Sequence, residues 1–142
     1  MHTLIVDDQP ANRHVLLRML SRFGPCEMAE DGQQAIAALR RSWDEERTID
    51  LICLDIMMPV MNGSQTLSEI RKLEAARGMR SRDRVKVFMV TAIHDPDSIT
   101  NAFCDGCTAY IAKPVEYGLL LGNLVHLGLV TTSAAKTLAR SA

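Results

Sequence analysis

The chain has 142 residues, enough for one domain with a substantial core. Apolar residues make up 47% and aromatic ones 4%, so the core is aliphatic, and a formal net charge of −1 excludes any general attraction to nucleic acid or an anionic membrane. No apolar run approaches the ~20 residues of a membrane span, and Met1-His2-Thr3 lacks the basic start of a signal peptide, so the expected compartment is the cytoplasm, with Cys26, Cys53, Cys104 and Cys107 as reduced thiols.

The first predicted strand runs from Thr3 to Asp7. A helix starts near Pro10, whose fixed φ suits a first turn, carries Leu16, Leu17, Leu20 and Phe23 on one face, and stops at Gly24-Pro25. A short strand at Cys26 to Ala29 leads through the turn Asp31-Gly32 into a helix from Gln33 to Trp43, with Ala35, Ile36 and Leu39 inward. Asp44-Glu45-Glu46-Arg47 is a solvated connection to the third strand, Ile49 to Leu54. The loop from Met57 to Gly63 precedes a helix over Ser64 to Ala76 with the stripe Leu67, Ile70 and Leu73. A cationic loop, Arg77 to Arg84, leads to the fourth strand, which ends in Val87-Phe88-Met89-Val90-Thr91. The fourth helix begins near Asp95-Pro96 and holds Ile99, Ala102 and Phe103; the fifth strand is Ala109 to Ala112, and the last helix runs from Glu116 to Leu129. Residues 1–129 are expected to form the domain, with residues 130–142 a tail or the start of a linker to an output domain.

Short apolar runs alternating with helix-length segments predict an α/β fold, a doubly wound five-stranded parallel sheet of order 2-1-3-4-5 with helices on both faces. In such sheets ligands bind at the carboxyl ends of the strands. Asp7 and Asp8 close the first strand, Asp55 the third, Thr91 the fourth, and Lys113 follows the fifth. Acids so placed repel: at ~4 Å and an effective dielectric near 20, each like-charged pair costs about 4 kcal/mol. A hard dication on oxygen ligands relieves that, and Mg²⁺ takes one or two carboxylates plus phosphate oxygens. Lys113 adds a point charge and Thr91 a hydroxyl donor. These are the parts of a phosphoryl-transfer site whose nucleophile is a carboxylate, and Asp55, central in the sheet, is the candidate acceptor.

Asp7-Asp8, Asp55 within Leu54-Asp55-Ile56-Met57-Met58-Pro59, Asn62-Gly63, Thr91-Ala92 and Lys113-Pro114 together resemble the receiver domain of bacterial two-component response regulators, a CheY-like, flavodoxin-like fold, over residues 3–129. The resemblance implies that Asp55 accepts a phosphoryl group from a phosphohistidine on a sensor histidine kinase or histidine phosphotransfer protein. It implies that Asp8, Asp55 and the backbone carbonyl of Met57 ligate Mg²⁺, with Asp7 acting through a metal-bound water. Lys113 then pairs with the phosphate, Thr91 hydrogen-bonds it, and Tyr110 is the switch aromatic that moves inward as Thr91 does. The Lys113-Pro114 bond resembles the family's cis peptide. A partner-binding surface on the fourth helix, fifth strand and fifth helix follows, and the only chemistry expected is self-phosphorylation and autodephosphorylation, without turnover as an enzyme.

This chain departs from the family in three places. Asn62 stands where many relatives carry Asp, and the connections after Trp43 and over Arg77 to Arg84 are long. Met57 and Ile93 flank the pocket with apolar groups, which predicts a phosphoryl group that outlives seconds. Cys104-Asp105-Gly106-Cys107 has the spacing of a redox or zinc half-site, but Gly106 fits a helix stop and no second ligand pair exists among the histidines. Arg77, Arg80, Arg82, Arg84 and Lys86 read as a solvated loop.

On the last helix, Leu120, Leu124 and Leu127 form one stripe and Leu121, Val125 and Leu129 a second; the two span about 200° where a one-sided helix needs little more than ~100°. Leu121, Val125 and Leu129 are therefore expected to contact another chain, as a homodimer or with an output protein, unless the tail folds back over them. Two rival readings remain: a receiver-like scaffold acting without phosphorylation, and an aspartyl-phosphate phosphatase, which would want a second acid two residues after its nucleophile where this chain has Met57.

Overall fold

The structure is a computed structural model and describes residues 1–135. Five strands, β1 (Thr3–Val6), β2 (Cys26–Ala29), β3 (Leu51–Leu54), β4 (Lys86–Thr91) and β5 (Ala109–Ala112), form one sheet of order β2-β1-β3-β4-β5. Every neighbouring pair is parallel. The helices are α1 (Pro10–Leu20), α2 (Gly32–Asp44), α3 (Gly63–Ala76), α4 (Pro96–Cys104) and α5 (Tyr117–His126). Their starts follow local chemistry. Pro10 opens α1, and the side chains of Asp31, Asn62 and Asp95 accept backbone N–H groups at the heads of α2, α3 and α4.

Because side chains alternate across a strand, the sheet divides the core in two. Leu4, Val6, Ile52, Leu54, Val87 and Met89 pack with Ala35 and Leu39 of α2 and Leu67 and Ile70 of α3. Ile5, Leu51, Cys53, Phe88, Val90 and Ile111 pack on the other face with Leu16 and Leu20 of α1 and Leu120 and Leu124 of α5. Strands buried on both faces are apolar throughout, which is why the runs were legible. On α3 the inward position after Ile70 is Glu74, fully buried, whereas Leu73 is half-buried. On α4, Ala102 is buried and Phe103 is 49% exposed.

The last helix differs from its sequence expectation. It ends at His126, because Gly128 adopts φ +72° and a double hydrogen-bonded cap forms: Gly128 N–H donates to the Val125 carbonyl at 3.0 Å and Leu129 N–H to the Leu124 carbonyl at 2.9 Å. Leu129 thus lies beyond the helix and no stripe through Leu121, Val125 and Leu129 exists. Leu121 is buried (9% exposed), and Val125, Leu129 and Val130 pack against the α1–α5 side of the core, where Ala135 is also buried. The segment after Gly128 returns onto its own domain, which corrects the assignment of Leu121 to an intermolecular surface. Residues 136–142 of the expected tail lie outside the described residues.

Candidate functional site

The register sets the site. Val6 pairs with Leu54, and Leu54 with Met89, so the residues following these strands emerge along one edge. Asp7 (1% exposed) and Asp55 (7%) are buried there, and Asp8 is exposed. One carboxylate oxygen from each of Asp7, Asp8 and Asp55 lies within 4.8 Å of the others. Lys113, just past β5, reaches across the edge: its ammonium donates to Asp7 Oδ2 at 2.6 Å and to Asp55 Oδ2 at 2.9 Å. Burial alone would lower the pKa of Lys113, but the hydrogen bonds and charges of Asp7 and Asp55 outweigh it and raise the value.

The carboxylates are not equally held. Asp7 Oδ1 accepts the Gln9 N–H at 3.0 Å, and Asp55 Oδ1 a longer bond from Met57 N–H at 3.4 Å. The Asp8 carboxylate has no hydrogen-bond or ion-pair partner among the described residues. Three carboxylates against one ammonium leave negative charge uncancelled, and an all-oxygen donor set suits a hard cation. The residues present therefore fit a divalent metal, with Asp8 and Asp55 as the oxygen donors least committed elsewhere.

The loop after Asp55 is tightly built. A Cβ on Gly63 would fall 2.2 Å from the Asp55 carbonyl oxygen and 2.7 Å from Ile56 Cα, so only glycine lets α3 start against the acceptor strand. Gly63 N–H donates to the Ile56 carbonyl at 2.8 Å. Asn62 and Gln65 bond each other's backbone N–H groups as a capping box, so Asn serves the turn well. Val60 holds φ +69°, rare for a β-branched residue, and is 71% exposed beside Met57, which is 67% exposed.

Thr91 ends β4 fully buried, and its hydroxyl accepts the Ile93 N–H at 3.3 Å. The half-buried Tyr110 donates its hydroxyl to the Ile93 carbonyl, and burial, followed by the charges of Asp95, Cys107 and Asp55, raises its pKa. Thr91 and Tyr110 thus hold the same residue of the loop after β4 from two sides.

Sequence reasoning missed Arg13. From α1 its guanidinium donates to the Asp7 main-chain carbonyl at 2.7 Å, a contact whose only signal was a cation six residues after the first acid. The Cys104 to Cys107 spacing is a helix stop: Gly106 has φ +104°, and Cys107 N–H donates to the Ala102 carbonyl at 3.0 Å. Cys104 is exposed and Cys107 buried, both are free thiols, and burial pushes Cys107 up to about 11.

The family model for the response regulator receiver domain matches residues 3–124. The chain belongs to that family. This receiver domain is 33% identical over 136 residues to the sensory/regulatory protein RpfC of Xanthomonas campestris pv. campestris, spanning 95% of the chain and 18% of RpfC. It is 33% identical over 116 residues to hybrid signal transduction histidine kinase G of Dictyostelium discoideum, spanning 80% of the chain and 3% of that protein. The receiver thus spans less than a fifth of either relative. Among solved structures it is similar, at 27% identity and a TM-score of 0.78 over 91% of the chain and 89% of the other, to a co-crystal structure of the Saccharomyces cerevisiae histidine phosphotransfer protein Ypd1 with the receiver domain of Ssk1. It shares its fold, at a TM-score of 0.77 and 24% identity over 90% of the chain and 89% of the other, with a CheX–CheY–BeF₃–Mg²⁺ complex from Borrelia burgdorferi.

Proposed function

We propose that this receiver accepts a phosphoryl group on Asp55 from a phosphohistidine, with Mg²⁺ held by Asp8, Asp55 and the Met57 carbonyl and by Asp7 through a water. The observation that carries this is the bridging of Asp55 and Asp7 by Lys113 beside an unpartnered Asp8. In the step, an Asp55 oxygen forms a bond to phosphorus while the phosphorus–nitrogen bond of the donor breaks; the donor ring carries a proton on its other nitrogen, so it leaves as a neutral imidazole and an acyl phosphate remains on Asp55. The metal supplies charge neutralisation for the phosphoryl oxygens. Lys113 neutralises the same charge from the β5 side, and Asp7 keeps its ammonium aimed. The Thr91 hydroxyl, relieved of the Ile93 N–H, donates to a phosphoryl oxygen. Thr91 and Tyr110 share Ile93, so this movement is passed to the Tyr110 side of the loop and on to a partner surface on α4, β5 and α5.

The donors are a sensor histidine kinase or a phosphotransfer protein, a reading supported by the kinase relatives and by the Ypd1 complex of the Ssk1 receiver. Asp55 is a stoichiometric acceptor rather than a turnover catalyst. Four free cysteines are consistent with work in the reducing cytoplasm, and no described helix is long and apolar enough to cross a membrane. Self-association through Leu121 is not part of this reading, since that side chain serves the core.

Intact mass after incubation with Mg²⁺ and acetyl phosphate tests the proposal. The wild type gains one phosphoryl group and Asp55→Asn gains none. A wild type that gains no mass, with active donor, would overturn it in favour of a scaffold that works without phosphorylation.

A further inference from the structure

Asp8 is the acid with the least to hold it. Its carboxylate is exposed and has no partner among the described residues, so its position is set by its backbone alone. That backbone is the turn between β1 and α1. The Asp7 carbonyl belongs to the peptide plane that carries the chain into Asp8, and a planar peptide transmits the orientation of its carbonyl to the next Cα. The β ladder ends one atom group earlier: Asp7 N–H donates to the Ala29 carbonyl at 3.2 Å, and no backbone N–H among the described residues reaches the Asp7 carbonyl.

The Arg13 side chain takes that place. Its guanidinium donates to the Asp7 carbonyl at 2.7 Å, with Glu30 at 3.9 Å on the other side, and it is only 12% exposed. Glu30 is 66% exposed, so that pairing is weak, and the carbonyl is the directed contact. Two further bonds close the turn: Gln9 N–H to Asp7 Oδ1 at 3.0 Å, and Arg13 N–H to the Gln9 carbonyl at 3.2 Å. Asp7 is gripped on its carbonyl and both carboxylate oxygens, while Asp8 projects from the middle of the gripped turn.

We propose that Arg13 is a positioning residue for the metal site, fixing the Asp7–Asp8 peptide so that the Asp8 carboxylate stands beside Asp55. This rests on the proposed function and deepens it. It carries an opposite sign from a simple charge effect. A nearby cation disfavours a bound dication, so removing Arg13 would tighten metal binding if charge were all it contributed. If it positions Asp8, removal weakens binding, as loss of partners behind a metal ligand does, by roughly tenfold.

The test is calorimetric titration with Mg²⁺, without phosphodonor, of the wild type, Arg13→Ala and Arg13→Lys, with unfolding curves to establish that each is folded. Arg13→Ala is expected to bind about tenfold more weakly. Arg13→Lys, which keeps a donor for the carbonyl, is expected to recover most of the loss. Should Arg13→Ala not fold, Arg13→Met, which keeps an unbranched stem without the cation, carries the same expectation. Unchanged or tighter binding in the folded neutral variant overturns the positioning role while leaving the metal site intact. A wild type that binds no Mg²⁺ overturns the site reading itself, and the inference with it.

Discussion

Two buried charge arrangements stand in this small domain, and they are built differently. On α3, Glu74 is fully buried with both oxygens matched: Arg71 donates to Oε1 at 2.7 Å and the Val85 N–H to Oε2 at 2.7 Å. Arg71 spends its other donors on the Gly106 carbonyl, at 3.0 and 2.9 Å, and on the Val85 carbonyl at 2.8 Å. One acid meets one cation, each carboxylate oxygen has a donor, and α3 is tied to the residue that leads into β4 and to the turn before β5. At the carboxyl edge, two acids share one ammonium and a third, Asp8, has no partner among the described residues. A closed network holds a fold in register; an open one, carrying surplus charge that something from outside must cancel, is where a ligand acts. Burial alone would not have separated the two, since Glu74, Asp7 and Asp55 are all buried.

The sharpest way to break this contrast is Glu74→Ala. It strands Arg71 and leaves the buried Val85 N–H without an acceptor, and breaking such a pair costs about 3–5 kcal/mol. Urea denaturation should show that loss, and a cost under ~1 kcal/mol would mean that water reaches the network and that it is not closed. Next in size is Gly63→Ala, whose methyl meets the Asp55 carbonyl at 2.2 Å. Overpacking of this kind costs about 1–3 kcal/mol. Here the damage falls on the acceptor peptide, so phosphorylation by acetyl phosphate should fall in protein that is still folded. Full phosphorylation of the folded variant would show that α3 can shift without moving Asp55.

The open site was largely readable in the sequence, and the closed one was not. Asp7, Asp55 and Thr91 each terminate an apolar run, and a parallel register aligns the ends of such runs. Glu74 was hidden because a helical wheel counts a carboxylate as outward; only the Arg71 contacts across α3, β4 and the turn at Gly106 make it an inward residue. Arg13 was hidden for a related reason, since its reach back to the Asp7 carbonyl depends on how α1 lies against β1. The apolar arc of α5 was visible, but periodicity cannot say what covers it. Gly128 decides that by turning the chain so that Leu129, Val130 and Ala135 return to the body.

A smaller effect comes from Lys113. Its folded-state pKa is raised above the usual 10.5, so the folded protein holds that proton more tightly than the unfolded chain does. The stability it contributes is fully present below about pH 10 and is lost as the pH rises through the folded value. Comparing denaturation midpoints of the wild type and Lys113→Gln from about pH 9 to pH 12 should show the two curves converging at the alkaline end. Parallel curves would mean that Lys113 gains nothing from Asp7 and Asp55 in the folded state.

The smallest expected effect discriminates best, because it reverses sign. Without metal, Asp8 adds negative charge to a cluster already in surplus, so Asp8→Asn should leave the protein unchanged or slightly more stable, by less than ~1 kcal/mol given its exposure. With Mg²⁺ the order inverts. A ligand that binds only the folded state stabilises it by mass action, so the wild type gains stability with metal concentration while the variant, short of one ligand, gains less. Thermal midpoints with and without Mg²⁺ give the comparison directly. Crossing of the two proteins marks an open site that the metal completes. If Asp8→Asn is instead destabilising at every Mg²⁺ concentration, Asp8 belongs with Glu74 among residues that hold the fold, and the distinction between the two arrangements fails at the residue on which it most depends.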